Sequence, residues 1–267
     1  MNIVITGASA GIGKALAATF ARKGHAVLAV ARREQLLQAL SREMAEKHQA
    51  VVHPLALDLT LQDAPSLLFE EAVRLFTRVH ILVNNAGMSP YQKFTELNPV
   101  HMHQLLALNI QALTDLCFLF LPHMLTHGEP AHLVNVGSVG GYAPLPRFSV
   151  YTGSKHYVRA FTNMLWCETR GTNVRVSALH PGDTLTEFQT LCGQRLKPSA
   201  SKGTMTAQAV AEIAYPAILK GRRVIIPGVL NQAAALLGKL LPFPWSMRVM
   251  EMIYNQNIEP VAPTYPL

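Results

Sequence analysis

The strongest constraint on this chain is an alternation. Short, uninterrupted apolar runs recur along it, and stretches with helical spacing lie between them. The runs fall at 2–6, 26–30, 51–56, 81–84, 132–136, 174–179 and 223–226. Continuous apolar strands are buried on both faces, which is the habit of parallel sheets. The helical stretches are 14–23, 34–47, 64–76, 100–124, 150–170 and 206–219. Leu36, Leu37, Leu40 and Met44 make the apolar stripe of the second. Gly24 and Gly171 stop the first and fifth, and Thr206 caps the sixth. Such repetition predicts an α/β architecture: a doubly wound parallel sheet of about seven strands with right-handed crossovers.

The 267 residues suit a single domain. No repeat or break in composition divides it. The α/β unit, with any site it carries, spans 1–228, and an apolar helical extension and tail follow over 229–267, with the extension read as a flap over a substrate pocket or a subunit interface. Residues 189–203 are polar, with Gly193 and Pro198, and read as a long functional loop. The proline-containing tail from 259 reads as extended.

Composition narrows the function classes. Hydrophobic residues make up 49% and charged ones 15%, enough for a large core and little for a free surface. Scarce charge suggests surface hidden in an oligomer or against a membrane. The net charge of +7 admits nucleic acid, anionic lipid or an anionic small molecule as partner. No basic run exceeds the pairs Arg32-Arg33 and Arg222-Arg223, and neither zinc-finger spacing nor aromatic–basic interleaving occurs. The excess is therefore read as solubility plus a phosphate-bearing ligand, not nucleic acid. Cys117, Cys167 and Cys192 form no CxxC, and the first two sit in apolar helical segments. Buried thiols in a reducing compartment are expected, with no metal site. The first strand starts directly after Met1, without a basic leader. No apolar run reaches membrane-spanning length; 224–241 comes closest and is broken by Pro227, Gly228, Asn231, Gln232 and Lys239. A cytoplasmic location follows by default.

The residues able to carry chemistry fall at the carboxyl ends of the expected strands, where open α/β sheets bind ligands. Thr6-Gly7-Ala8-Ser9-Ala10-Gly11-Ile12-Gly13 joins strand one to helix one. Glycines there admit positive φ and close backbone approach, and a helix N-terminus receives a pyrophosphate. A tight turn without ligand is the plain alternative, and the position favours a dinucleotide. Strand two ends in Arg32-Arg33 where an acid would hold a ribose 2′-hydroxyl. Two guanidinium groups there fit a 2′-phosphate, and so NADP over NAD. Asp58, followed by Leu59, either accepts from an adenine amino group or caps a turn. Asn84 and Asn85 can bridge neighbouring strands, and Ala86-Gly87 leave space beside them.

Tyr151 and Lys155 are four apart and share a helix face. An ordinary phenol titrates near pH 10 and serves poorly as an acid or base; a neighbouring ammonium lowers that value. Ser138 follows strand five and can donate to a substrate oxygen as charge develops. Standing alone, the Tyr–Lys pair would read as a surface pair; its place after strand five alters that. In His180-Pro181-Gly182-Asp183-Thr184-Leu185-Thr186 the Pro-Gly pair turns the chain over the sheet edge, and Thr186 can bind a carboxamide.

Taken together, Thr6-Gly-x3-Gly11-x-Gly13, Asn84-Asn85-Ala86-Gly87, Asn109, Ser138, Tyr151-x3-Lys155 and Pro181-Gly182 resemble the classical short-chain dehydrogenase/reductase family over roughly residues 2–230. The resemblance implies an NADP-dependent enzyme that moves a hydride between nicotinamide and an alcohol or carbonyl compound. It makes Tyr151 the general acid/base, Lys155 its partner and ribose contact, Ser138 the group that positions substrate, and Asn109 the holder of a water beside the lysine. It gives Gly7, Ser9, Gly11, Ile12 and Gly13 to the pyrophosphate, Asp58 and Leu59 to adenine, and Asn85, Ala86 and Gly87 to the adenosine side. Pro181, Gly182, Thr184 and Thr186 fall to the nicotinamide end. Two positions depart from the pattern. Ala10 stands where many NADP-dependent members have a basic residue, which leaves the phosphate to Arg32 and Arg33, and Asp183 replaces a usual apolar residue or proline. The glycine spacing argues against the extended members, epimerases and dehydratases. A moderately hydrophobic small-molecule substrate and a homodimer or homotetramer are expected. The alternatives are an NADP-binding regulatory protein without turnover, or a lipid carbonyl reductase whose apolar extension meets a membrane.

Overall fold

The computed structural model describes residues 1–197 and 204–261. Seven parallel strands form one sheet in the order β10-β6-β5-β4-β1-β2-β3. They are β1 (Asn2–Thr6), β2 (Ala26–Ala31), β3 (Val52–Ala56), β4 (Ile81–Asn84), β5 (Ala131–Val136), β6 (Val174–Leu179) and β10 (Val224–Ile225). The expected doubly wound sheet is therefore present. β3 is an edge strand, which tolerates Pro54 because one side of it needs no ladder.

The strand period sends Ile3 and Ile5 to one face and Val4 to the other. The first face packs on α1 (Gly11–Arg22), α2 (Glu34–His48) and α8 (Ala207–Leu219) through Leu16, Phe20, Leu37 and Ile218. The second packs on α3 (Ala64–Phe76), α5 (Leu113–Thr126) and α6 (Ser149–Glu168) through Leu68, Leu116, Phe120 and Val158. Each such buried side chain contributes roughly 1.5–3 kcal/mol against the entropy of ordering.

Several expectations change here. α4 (Pro99–Leu106), a π-helical turn (Ala107–Ala112) and α5 run on as a single helix of 28 residues, long and apolar enough to cross a membrane. Its stripe of Leu105, Leu113, Leu116, Phe120 and Met124 is buried, while Phe118 on the same helix is exposed. Of the thiols, Cys117 and Cys192 are buried but Cys167 is exposed, because it lies off the α6 face that carries Val158 and Leu165. The expected loop from 189 begins as structure: α7 (Glu187–Cys192) is followed by β8 (Gln194–Leu196). β8 pairs antiparallel with β11 (Ile258–Pro260), which takes up the start of the expected tail. β7 (Thr184–Leu185) pairs with β9 (Met205–Thr206). Residues 198–203 of the loop and 262–267 of the tail lie outside the described residues. After Gly228 come α9 (Val229–Leu240) and α10 (Phe243–Asn257).

Candidate active site

The strand order reverses between β1 and β4, so the connections leave on opposite faces and open a crevice at the carboxyl ends. A cleft of about 750 Å³ lies there.

Its floor is the turn after β1. Gly7 and Gly11 have φ of +68° and +54°, the left-handed region that glycine enters without strain. A Cβ on Gly13 would stand 2.3 Å from the Gly7 carbonyl oxygen and 2.4 Å from Asn85 Nδ2. Ala10 gives α1 no side-chain cap, so first-turn N–H groups face a cleft lined by Gly7, Ser9, Gly11 and Ile12. Thr6 Oγ1 accepts from the backbone N–H of Asn85 (3.0 Å) and Ala86 (2.9 Å). Asn85 Nδ2 donates to the Thr6 carbonyl at 2.9 Å, and Asn84 Nδ2 to Asn135 Oδ1 at 2.9 Å. The two asparagines thus tie β4 to β1 and to β5, the bridging expected of them.

At the β2 side of the cleft, Arg33 donates to Glu187 (2.8 Å) and Ser9 (3.3 Å), and Arg32 Nη1 lies 3.9 Å from Asp58. Asp58 accepts from the Thr60 N–H (2.9 Å) and hydroxyl (2.8 Å), so it caps its turn while lining the cleft beside Leu59.

At the β5 side, Ser138, Tyr151 and Lys155 converge. The Ser138 hydroxyl is close enough to the Tyr151 phenol to favour its charged form. Lys155 Nζ donates to the Val136 carbonyl at 2.9 Å and stands 5.6 Å from the centre of the Tyr151 ring. Asn109 sits in the π turn, a distortion frequent at functional sites. Its Oδ1 accepts from the Met88 N–H (2.9 Å), and its Nδ2 donates to the Met88 carbonyl (3.0 Å) and Ser154 Oγ (3.2 Å). Gly87 leaves room between them: a Cβ there would meet Asn109 Oδ1 at 3.3 Å and Lys155 Nζ at 3.6 Å.

The phenol departs from the expected direction. Burial raises the Tyr151 pKa, and the nearby Ser138 hydroxyl only opposes this. The ring is flanked by Phe148 and Phe188, with centroids 5.2 and 6.0 Å away. Lys155 cannot reverse the effect, because its ammonium is engaged with Val136 and its own burial lowers its pKa to about 8.

After β6, Pro181 accepts from the Val139 N–H (3.0 Å) and Thr184 Oγ1 donates to the Gly182 carbonyl (2.9 Å). Thr186 caps α7 by accepting from the Phe188 N–H at 3.2 Å, and its methyl lies 3.1 Å from where a Gly11 Cβ would be. All four line the cleft. Sequence reasoning gave no role to His180. Its Nδ1 lies 3.1 Å from the Ser138 carbonyl, and its ring packs edge-on against Tyr142 at 4.9 Å. Burial holds its pKa at about 4, so the neutral ring donates that proton and fixes the backbone under Ser138. Its place before Pro181-Gly182 was the only signal in the sequence. The far wall comes from the apolar extension, as its reading as a pocket flap expects: Leu230, Met250, Ile253 and Tyr254 of α9 and α10 line the cleft.

Comparison with known proteins agrees with this geometry. The family model for short chain dehydrogenases matches residues 1–196. A sulfoacetaldehyde reductase of Chromohalobacter salexigens is 35% identical over 216 residues, 79% of this chain and 85% of that protein. Among solved structures, a short-chain dehydrogenase from Sphingobium yanoikuyae in complex with NADPH is 29% identical, with a TM-score of 0.78 over 90% of this chain and 96% of that one. A Burkholderia phymatum short chain dehydrogenase/reductase in complex with NAD is 26% identical, with a TM-score of 0.80 over 100% of this chain and 97% of that one. The chain belongs to the short-chain dehydrogenase/reductase family and is an oxidoreductase of alcohol or carbonyl compounds that uses a nicotinamide dinucleotide.

Proposed function

We propose that the protein is an NADP(H)-dependent carbonyl reductase in which Tyr151 is the proton donor. The observation that carries this reading is the convergence of Ser138, Tyr151 and Lys155 at one end of a cleft whose other end holds Arg32 and Arg33.

The residues present fit the dinucleotide. The cradle of Gly7, Ser9, Gly11, Ile12 and Gly13 has no room for a Cβ at Gly7 or Gly13 and offers N–H groups to the pyrophosphate. Arg32 and Arg33 would hold the 2′-phosphate, and no acid at the end of β2 competes for the ribose. Relatives of this fold are solved with NADPH and with NAD, so the preference rests on these arginines. Asp58 and Leu59 would border adenine, Asn85–Gly87 the adenosine side, Tyr151 and Lys155 the nicotinamide ribose, and Pro181, Gly182, Thr184 and Thr186 the carboxamide. When bound, the reduced nicotinamide supplies the hydride.

The Ser138 hydroxyl donates to the substrate oxygen, and Tyr151 delivers its proton there as negative charge builds. A phenol kept protonated by burial suits reduction, the direction that needs a donor. Lys155 then stands beside the phenolate so formed, and Asn109 fixes the Gly87-Met88 segment facing it. α9 and α10, within the extension 229–267, wall the substrate end with apolar side chains, in keeping with a hydrophobic substrate. A reducing, cytoplasmic setting fits three cysteines that are all free. Phe118 and Met164, 78% and 56% exposed on α5 and α6, offer apolar surface to a second copy in a homodimer or homotetramer.

Tyr151→Phe is the decisive variant. Turnover of NADPH with ketones and aldehydes should fall at least about 10²- to 10⁴-fold while NADPH binding stays within a few-fold. Retained turnover would overturn the assignment, and tight NADPH binding without turnover in the wild type would revive the regulatory alternative. A lipid surface against α9 and α10 is a second reading, favoured by the exposure of Val229, Leu240 and Trp245; flotation with anionic liposomes tests it.

A further inference from the structure

Beyond the reacting groups, the substrate end of the cleft is aromatic and aliphatic. Phe148, Phe188, Leu191 and Met250 line it. One carboxyl interrupts this lining. Asp183 follows the Pro181-Gly182 turn and is exposed on the cleft wall. The turn is firmly seated: a Cβ on Gly182 would fall 2.1 Å from Asn231 Oδ1 of α9. Asp183 is near enough to act electrostatically on the phenols of Tyr151 and Tyr254 and on the Cys192 thiol. Among the described residues it makes no ion pair, and no cation of theirs stabilises its charge.

A second polar group faces the same space. Gln194 is 5% exposed and lines the cleft. Its Oε1 accepts from Cys192 Sγ at 3.5 Å, while its Nε2 is buried without a hydrogen-bond partner among the described residues. A buried donor left unmade costs about 1–3 kcal/mol, so a group that nothing in the protein satisfies points to a ligand.

We propose that Asp183 and Gln194 form a recognition subsite for an ammonium group and an adjacent oxygen on the substrate. The carboxylate of Asp183 accepts from the ammonium, and Gln194 Nε2 donates to the oxygen. The substrate class is then an amino ketone, or the matching amino alcohol, with an apolar body. Carboxylates and sulfonates are repelled by the same Asp183. This rests on the reading of the cleft as a carbonyl-reducing site.

Calorimetric titration of the full-length protein at saturating NADP and about pH 8 tests it, since both partner charges are then present. The probes are 2-amino-1-phenylethanol, 2-phenylethylamine, 2-phenylethanol and phenylacetate. The two ammonium probes should bind about tenfold tighter than the neutral alcohol, the scale of one charge-assisted hydrogen bond. Phenylacetate should bind weakest. Asp183→Asn should erase the ammonium preference, and Gln194→Leu should erase only the advantage of the aminoalcohol over the amine. Equal binding of all probes, tightest binding of phenylacetate, or an unchanged ranking in Asp183→Asn overturns the subsite. Its failure is distinct from failure of the proposed reaction. A flat ranking in a protein that reduces ketones sinks the subsite alone; a clear ranking in one that reduces no carbonyl sinks the reaction alone.

Discussion

Gly13 has no space for even a methyl group. The oxygen of Gly7 and the amide of Asn85 occupy the position, and the two are hydrogen-bonded to each other just beyond the ends of β1 and β4. Gly13→Ala should weaken NADPH binding more than tenfold and destabilise the fold by about 1–3 kcal/mol, the scale of overpacking; fluorescence titration and urea denaturation measure the two effects. At the other end of the cofactor cradle, Arg32→Ala with Arg33→Ala should raise the KM for NADPH by about 10- to 100-fold and change that for NADH by less than threefold, as loss of charge-assisted contacts to a phosphate requires. Equal effects on the two would refute the assignment. Single residues with chemical character were well exposed to sequence reasoning. Gly7, Ser138, Tyr151 and Lys155 all reach the cleft. Their ionisation was not. The Tyr151–Lys155 spacing suggested a lowered phenol, but the pKa follows from burial, with Phe148 and Phe188 flanking the ring, which that spacing does not reveal.

At the scale of elements, the π turn 107–112 matters most. It rotates Asn109 onto the Met88 backbone, where one amide satisfies both a donor and an acceptor. Asn109→Ala leaves these two groups unpaired in a partly buried segment. Stability should fall by about 1–3 kcal/mol in urea denaturation, with kcat falling more than KM rises. A loss confined to stability would make Asn109 structural only. Apolar strands and amphipathic helices were legible because their period is local. The π turn was not, since a single added residue per turn leaves the apolar stripe of Leu105, Leu113 and Leu116 in place. The short strands β7, β8, β9 and β11 were equally hidden. β8 is only Gln194–Leu196, and its partner lies at Ile258–Pro260, so nothing near it in the chain marks it as a strand.

At the scale of the whole molecule, two buried histidines set the acid limit. Burial holds His132 and His180 at about 4 instead of the ordinary 6.5; Arg175 adds to the effect at His132, and the Ser138 carbonyl opposes it at His180. Between those values the unfolded chain binds more protons than the native one. Stability is therefore full above about pH 6.5 and is lost as pH falls toward 4. His132→Leu should recover roughly 1–2 kcal/mol of the stability lost between neutral pH and pH 5, read from urea midpoints at the two values. An unchanged difference between the midpoints would show that other groups govern acid unfolding.

By itself the sequence determined the order of strands and helices, the doubly wound sheet and the end of it at which the reactive side chains gather. Those are consequences of local periodicity, turn chemistry and the position of each residue relative to its own strand. Only the tertiary structure decided that the Tyr151 phenol is raised, that His180 holds Ser138, and that α9 and α10 wall the cleft. Burial and electrostatic environment are made by neighbours in space, and those neighbours lie far apart along the chain.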